Sequence, residues 1–224
     1  IANCTDITTC LRCINDTAVD QALALYYASA LQVEFGTNSP ANKCQRSIGK
    51  ETVKFLRARS KAMQKCWDGR LKGLYLTSCP NPGDPAGKTL LLISTAETKK
   101  ITSICKSCGG PDKLCDGVND LLPSGIGFDS SCPAVTPFPG SGSPFAGSSC
   151  VGAIGTAQSI VDCVDCVTTF KVDCMDAVAV PEFGALPANC NPNTTTTTTT
   201  TSTSSTSSTS TSTSSSTTTS TSST

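Results

Sequence analysis

Histidine is absent from all 224 residues. That removes the base of Ser-His-Asp and Cys-His nucleophile pairs, and the imidazole of the usual zinc-enzyme ligand sets. It also excludes attached c-type haem, which needs CxxC followed by His. Aromatic residues make up 5 % of the chain, with a single Trp. Platforms for stacking bases are therefore scarce, and no nucleic-acid partner is expected. No apolar run reaches the roughly 20 residues that span a bilayer, so no membrane span is expected either. The chain opens on Ile1, without a basic stretch leading into an apolar one. A mature chain whose signal has been removed fits this, as does a fragment of a longer protein.

Cysteine, by contrast, is abundant. The fifteen are Cys4, Cys10, Cys13, Cys44, Cys66, Cys79, Cys105, Cys108, Cys115, Cys132, Cys150, Cys163, Cys166, Cys174 and Cys190. A reducing cytosol offers little use for so many unless they hold metal, whereas an oxidising compartment makes them a covalent frame. An extracellular or cell-surface location is expected, with all fifteen as disulfide candidates. The count is odd, so one thiol stays free or links to another chain. Cys66–Cys79 and Cys44–Cys105 (or Cys44–Cys108) are the expected bridges, the latter if the two central helices run antiparallel.

Net charge is zero, but it is unevenly placed. Residues 42–72 hold ten Lys/Arg against two Asp/Glu, a stretch of +8 that leaves −8 for the remainder. Such asymmetry guides association between copies or between parts of one copy. The last 31 residues, Thr194 to Thr224, are only Thr and Ser. With neither apolar groups to bury nor charge, this tail is expected to be extended and to carry O-glycans. The first acceptors are Thr194, Thr195, Thr196, Thr197, Thr198, Thr199, Thr200, Thr201, Ser202 and Thr203. Fully extended, the tail would reach roughly 100 Å. Asn3, Asn15 and Asn193 each head an N-glycosylation sequon.

Four stretches read as helices. The first spans about Ala18 to Phe35, capped by Thr17 with Asp20 at the reciprocal position and stopped by Gly36. The second spans about Asn42 to Lys72, with Cys44, Ile48, Phe55, Ala62, Met63 and Cys66 in an apolar line. Lys43, Lys50, Lys54, Arg57, Lys61 and Lys65 fall largely on its other faces. The third spans about Pro85 to Cys108, with Asp84 as cap, Pro85 at the first helical position and Gly109-Gly110 as stop. The fourth spans about Ala157 to Ala179, from a Thr156 cap to Pro181. Residues 109–155 are rich in Gly, Pro and Ser and read as a long loop clipped by Cys115, Cys132 and Cys150. Two strands fit within it, near Gly125–Phe128 and Ala134–Phe138. Residues 7–13 weakly repeat 160–166, as a pairing segment or by chance.

Each motif admits more than one chemistry. Cys10/Cys13, Cys105/Cys108 and Cys163/Cys166 are CxxC pairs; disulfides to neighbouring segments are favoured over a zinc site or a redox dithiol. The run from Gly83 to Thr89 is one residue short of a phosphate-binding loop, and Pro85 lacks the N–H such a loop needs, so a helix start is favoured. Asp112, Asp116, Asn119 and Asp120 could gather around calcium, but turn formation accounts for them more simply. No metal and no cofactor are expected. Asp162, Asp165, Asp173 and Asp176 read as a solvated acidic face rather than as catalytic carboxylates.

The runs NKCQRSIGKETVKFLRARSKAMQKC, ICKSCGG, IGFDSSCP and VDCVDCVTTFKVDCMD resemble a cysteine pattern in uncharacterised exported bacterial Cys-rich helical proteins. The resemblance covers roughly Asn42 to Val180. It implies export and a helical fold, and it brings no activity and no site residues.

The expected architecture is all-α: a disulfide-stapled bundle of about four helices with a long Gly/Pro-rich loop and an extended Thr/Ser tail. Residues 1–190 form the domain, with 1–16 as an extension or pairing segment, and 191–224 form the tail. The leading expectation is a non-enzymatic structural subunit of an extracellular glycosylated filament or surface assembly. Its partners are copies of itself and covalent glycans. A surface binding module on a glycosylated stalk comes second, and a carboxylate hydrolase third.

Overall fold

A computed structural model describes residues 39–80 and 82–180, Cys190, and the isolated positions Thr9, Arg12, Asp16, Asp20 and Leu25. Three long helices carry the described fold: α1 (Pro40–Leu71), α2 (Lys88–Cys108) and α3 (Ala157–Ala179). The first expected helix lies outside the described residues, apart from Asp20 and Leu25, which are both helical. The sequons, Cys4, Cys10, Cys13, the 7–13 repeat and the Thr/Ser tail also lie outside them, save Thr9 and Arg12 of the repeat.

Local chemistry sets each helix end. Ser39 caps α1 through its hydroxyl, which accepts the Asn42 N–H, and Pro40 supplies a preset first turn. Thr156 and Ser159 form a reciprocal capping box at the start of α3. The start of α2 differs from expectation. The helix begins at Lys88 after Gly87, and Pro85 lies in the preceding turn. Asp84 still satisfies the helix end, because its carboxylate accepts the N–H groups of Lys88 and Thr89 and the Thr89 hydroxyl. Those bonds, the Thr89 hydroxyl first, hold the Asp84 carboxyl down to about 2. The donors that a phosphate would need are thus already taken by the chain's own carboxylate.

α2 ends at Cys108 because Gly109 turns the chain beneath its own loop. A Cβ on Gly109 would collide with the Leu114 carbonyl, and Gly110 is left-handed at φ 61°.

α1 and α2 pack as an antiparallel pair. Cys44–Cys108 pins the start of one to the end of the other, and Cys66–Cys79 closes the opposite end. α3 runs parallel to α1, with Asp173 facing Arg59 and Asp176 facing Trp67.

The apolar interior is in two parts. One gathers Ile48, Ile104, Ile160, Val164 and Phe170 with several half-cystines. The other gathers Met63, Trp67, Ile93 and Val172.

The long loop holds a 3-10 turn at Pro123–Ile126 and a two-stranded antiparallel ladder, β1 (Ser131–Cys132) with β2 (Gly152–Ala153). The strands expected at 125–128 and 134–138 do not form. Phe128 and Val135 are buried as their side chains demand. However, Pro133, Pro137 and Pro139 have no N–H to give a ladder, and Phe128 bonds back to Pro123.

Candidate functional site

All twelve cysteines among the described residues are in disulfides: Cys44–Cys108, Cys66–Cys79, Cys105–Cys115, Cys132–Cys163, Cys150–Cys166 and Cys174–Cys190. Cys105 pairs with Cys115 and leaves Cys44 to Cys108. Neither described CxxC closes on itself. Two cysteines three apart on a helix share a face, and each reaches a different neighbouring segment. Cys105, Cys108, Cys163 and Cys166 therefore offer no thiolate for zinc or for redox exchange.

The two apolar clusters are separated along α1 and α2 by a layer of buried charge. Arg59 and Lys100 are each 1 % exposed, and Asp173 is 0 %. Lys100 Nζ lies 2.8 Å from Asp165 Oδ1 and sits over the Phe55 ring at 4.3 Å. Arg59 Nη2 lies 3.8 Å from Asp173 Oδ1 and donates to the Ser141 carbonyl at 2.7 Å. Asp173 Oδ2 accepts the Phe138 N–H at 2.8 Å. The layer thus does two jobs. It joins all three helices, and it satisfies backbone groups where the loop at 138–141 passes inside.

This corrects the reading of the α3 aspartates as a solvated face. Asp165 and Asp173 are buried and Asp176 is half-buried, receiving the Trp67 indole N–H at 3.3 Å. Asp162 alone is exposed. The physical reason is that α3 is buried nearly all round from Ile160 to Cys174, so its acidic residues have no wet face to occupy.

Burial pushes the Asp173 carboxyl up to about 7, against the pull of Arg59 and the Phe138 N–H. It raises Asp176 to about 6 in the same way. Glu97 rises to about 8, chiefly through its hydrogen bond with Asp165, then through burial and the Asp165 charge. The Arg59 guanidinium is shifted down by burial, opposed first by Asp173. Glu97 and Asp165 are thus a close carboxyl pair. Asp165 is closed off from solvent and already held by Lys100.

These shifts predict how stability depends on pH. The three carboxyls hold protons more tightly folded than unfolded. Their stabilising contribution is full near pH 4 and is lost as pH rises through about 6 to 8. Lys171 acts in the opposite sense. Burial lowers it to about 8, so its cost to the folded state is relieved as pH climbs from there towards about 10. The melting temperature is expected to fall from pH 4.5 to a minimum near pH 8 and then recover, and calorimetry in matched ionic strength reads this directly. Asp173→Asn should flatten the fall. A melting temperature that climbs steadily from pH 4.5 to 8 would contradict the assignment.

Three surface features remain. Lys43, Arg46, Lys50, Lys54, Arg57, Lys61 and Lys65 on α1, with Lys72 at its C-cap, are all exposed. At 3.6 residues per turn they fall within an arc of about 100° and form one stripe. Glu51 pairs with Lys54 at 2.7 Å, and Asp68 is the carboxylate within the stripe. Like charges at three and four residues' spacing weaken a helix by a few tenths of a kcal/mol per pair. A groove of about 460 Å³ lies between α1 and α2, with Phe55, Ala58, Leu92 and Ala96 among its lining. In the loop after α2, Asp112, Asp116 and Asp120 bring carboxylate oxygens within 4.8 Å of one another. Each also accepts a backbone N–H of its own turn, from Leu114, Val118 and Gly117 respectively. Asn119, at φ 60°, takes the left-handed position of that turn.

Arg59 and Lys100 were discoverable from the sequence. Arg59 lies four residues after Phe55 and four before Met63, on the apolar line of α1, and Lys100 lies four before Ile104.

No helix among the described residues is long and apolar enough to cross a membrane. No family model, curated protein or solved structure matches the chain.

Proposed function

We propose that this protein is a structural subunit of an extracellular glycosylated filament or surface assembly, without catalysis of its own. Its partners are further copies of itself and the glycans carried by its tail. The observation that carries this reading is the joining of a helical domain held by six disulfides to a run of 31 Thr and Ser residues. Disulfides suit an oxidising exterior, and a dense hydroxyl run suits O-glycans rather than a packed core. Burial of Asp165 and Asp173 adds support, because it leaves the outer surface of α1 basic without a matching acidic face on α3.

Electron microscopy of material from the native source, with intact-mass measurement, tests the proposal. Regular filaments and a mass above the polypeptide's 23.0 kDa are expected. A monodisperse, sugar-free monomer would sink it.

A second reading, a binding module on a glycosylated stalk, draws on the groove between α1 and α2, which falls within the size range of small-molecule sites. Isolated particles in the same images would favour it.

A further inference from the structure

On the assembly reading, we infer that copies join head to tail, with the loop after α2 of one copy seated against the C-terminal end of α1 of the next. Burial narrows the candidates for the acidic side. Of the carboxylates outside α1, Asp165 and Asp173 are in the interior, Asp176 is half-buried against Trp67, Glu97 is held by Asp165, and Asp84, Asp129 and Asp162 each stand apart from any carboxylate cluster. The 112–122 loop is what remains as an acidic cluster among the described residues, and the Cys105–Cys115 bridge braces it. Along it, Asp112, Asp116 and Asp120, against the single cation Lys113, alternate with Leu114, Val118 and Leu122, three large apolar side chains that are more than half exposed.

The opposite end of the helix pair carries the complement. There the basic stripe ends in Lys61, Lys65 and Lys72, with Asp68 among them, and the chain runs on through Leu71, Leu74 and Leu76, which are 66 %, 72 % and 86 % exposed. Exposed apolar groups clustered within a charged surround are the composition of a contact face rather than of a solvated one. Opposite charge on the two faces steers them together and sets their register.

Placement makes the contact intermolecular. Cys44–Cys108 holds the acidic loop at the N-terminal end of α1, whereas the leucines follow its C-terminal end. At 1.5 Å per residue these ends are about 40 Å apart, so one copy cannot satisfy both faces with its own loop. A contact between two different faces is heterologous, and it propagates into a filament or a ring.

Two variants of the full chain test the contact. Leu114→Lys/Val118→Lys places cations on the acidic loop without touching the carboxylates that shape its turns. Lys61→Ala/Lys65→Ala removes charge from the helix end with the best helix former, and so offers no carboxylate to the cations of the other variant. Circular dichroism and melting with disulfides intact establish that each is folded, and light scattering reads association. Each variant alone should remain monomeric at concentrations at least tenfold above those at which the wild type assembles. Mixed, they should form a one-to-one dimer and stop, because one intact loop then meets one intact helix end. Variants that assemble as the wild type does would overturn the contact while leaving the assembly reading standing. Folded variants that stay apart when mixed would overturn the head-to-tail pairing. A wild type that stays monomeric at every concentration and in native material would overturn both.

Discussion

Arg59→Met is expected to cost about 3–5 kcal/mol of folding stability near pH 9, the range seen when one partner of a buried ion pair is removed and the other stays charged. Near neutral pH the loss should be smaller, because Asp173, already raised to about 7 beside Arg59, takes up a proton once the cation is gone. Asp173 would keep its place at 0 % exposure with no cation near it, and the Ser141 carbonyl would lose its donor. Urea unfolding with disulfides intact reads the loss as a fall in midpoint. Two controls make the result specific. Arg57→Met removes the same charge two residues away, on the exposed stripe, and should stay within about 0.5 kcal/mol. Arg59→Met/Asp173→Leu removes both charges and should recover much of the loss, since an apolar pair of similar volume does not carry an orphaned charge. Equal effects at positions 57 and 59 would mean that the charge layer has no structural role.

Opening the Cys44–Cys108 bridge should be the other large effect. Its partners are 64 residues apart, against 13 for Cys66–Cys79. Cross-links that close longer loops remove more freedom from the unfolded chain, and the chain-entropy relation gives about 4 kcal/mol for the first and about 3 for the second. Cys44→Ala/Cys108→Ala should therefore unfold at lower urea than Cys66→Ala/Cys79→Ala. It should also loosen the loop at 109–122, whose start that bridge fixes. Proteolysis of the two variants under native conditions would show this as earlier cutting within 109–122 in the first. The reverse order of stability would show that native-state packing, not loop length, dominates at these sites.

Much of the scaffold could be read before the structure was known. Residues that start and stop helices do so by local hydrogen bonding. The Thr156 hydroxyl and the Gly109-Gly110 pair, both expected, lie at the ends of α3 and α2 themselves. The apolar line from Cys44 to Cys66 lies buried in α1 at the expected spacing. An antiparallel packing of α1 and α2 was enough to anticipate a bridge from Cys44 to Cys105 or Cys108; the structure takes the second, because Cys105 pairs with Cys115. The loop resisted such reading. Its residues satisfy backbone groups through distant partners, as where Phe138 bonds Asp173 and Cys150 bonds Val135. No local pattern of strand residues records partners that far away.

Charge shows most clearly where the two levels part. From sequence alone come the +8 stretch and the −8 remainder, the cysteine-rich frame, the helices near 42–72, 85–108 and 157–179 and the composition of the Thr/Ser tail. These follow from composition and from short-range periodicity, which need no third dimension. Tertiary packing alone decides which charges face water. Seven of the ten cations between residues 42 and 72 lie exposed on α1, with Lys72 at its cap, while Arg59 is enclosed. Asp165 and Asp173 are drawn inside because α3 is covered nearly all round between Ile160 and Cys174. A charge is buried or solvated according to what the remote chain places over it. Helical spacing can mark a residue as inward-facing, but it cannot supply the partner that makes burial of its charge tolerable.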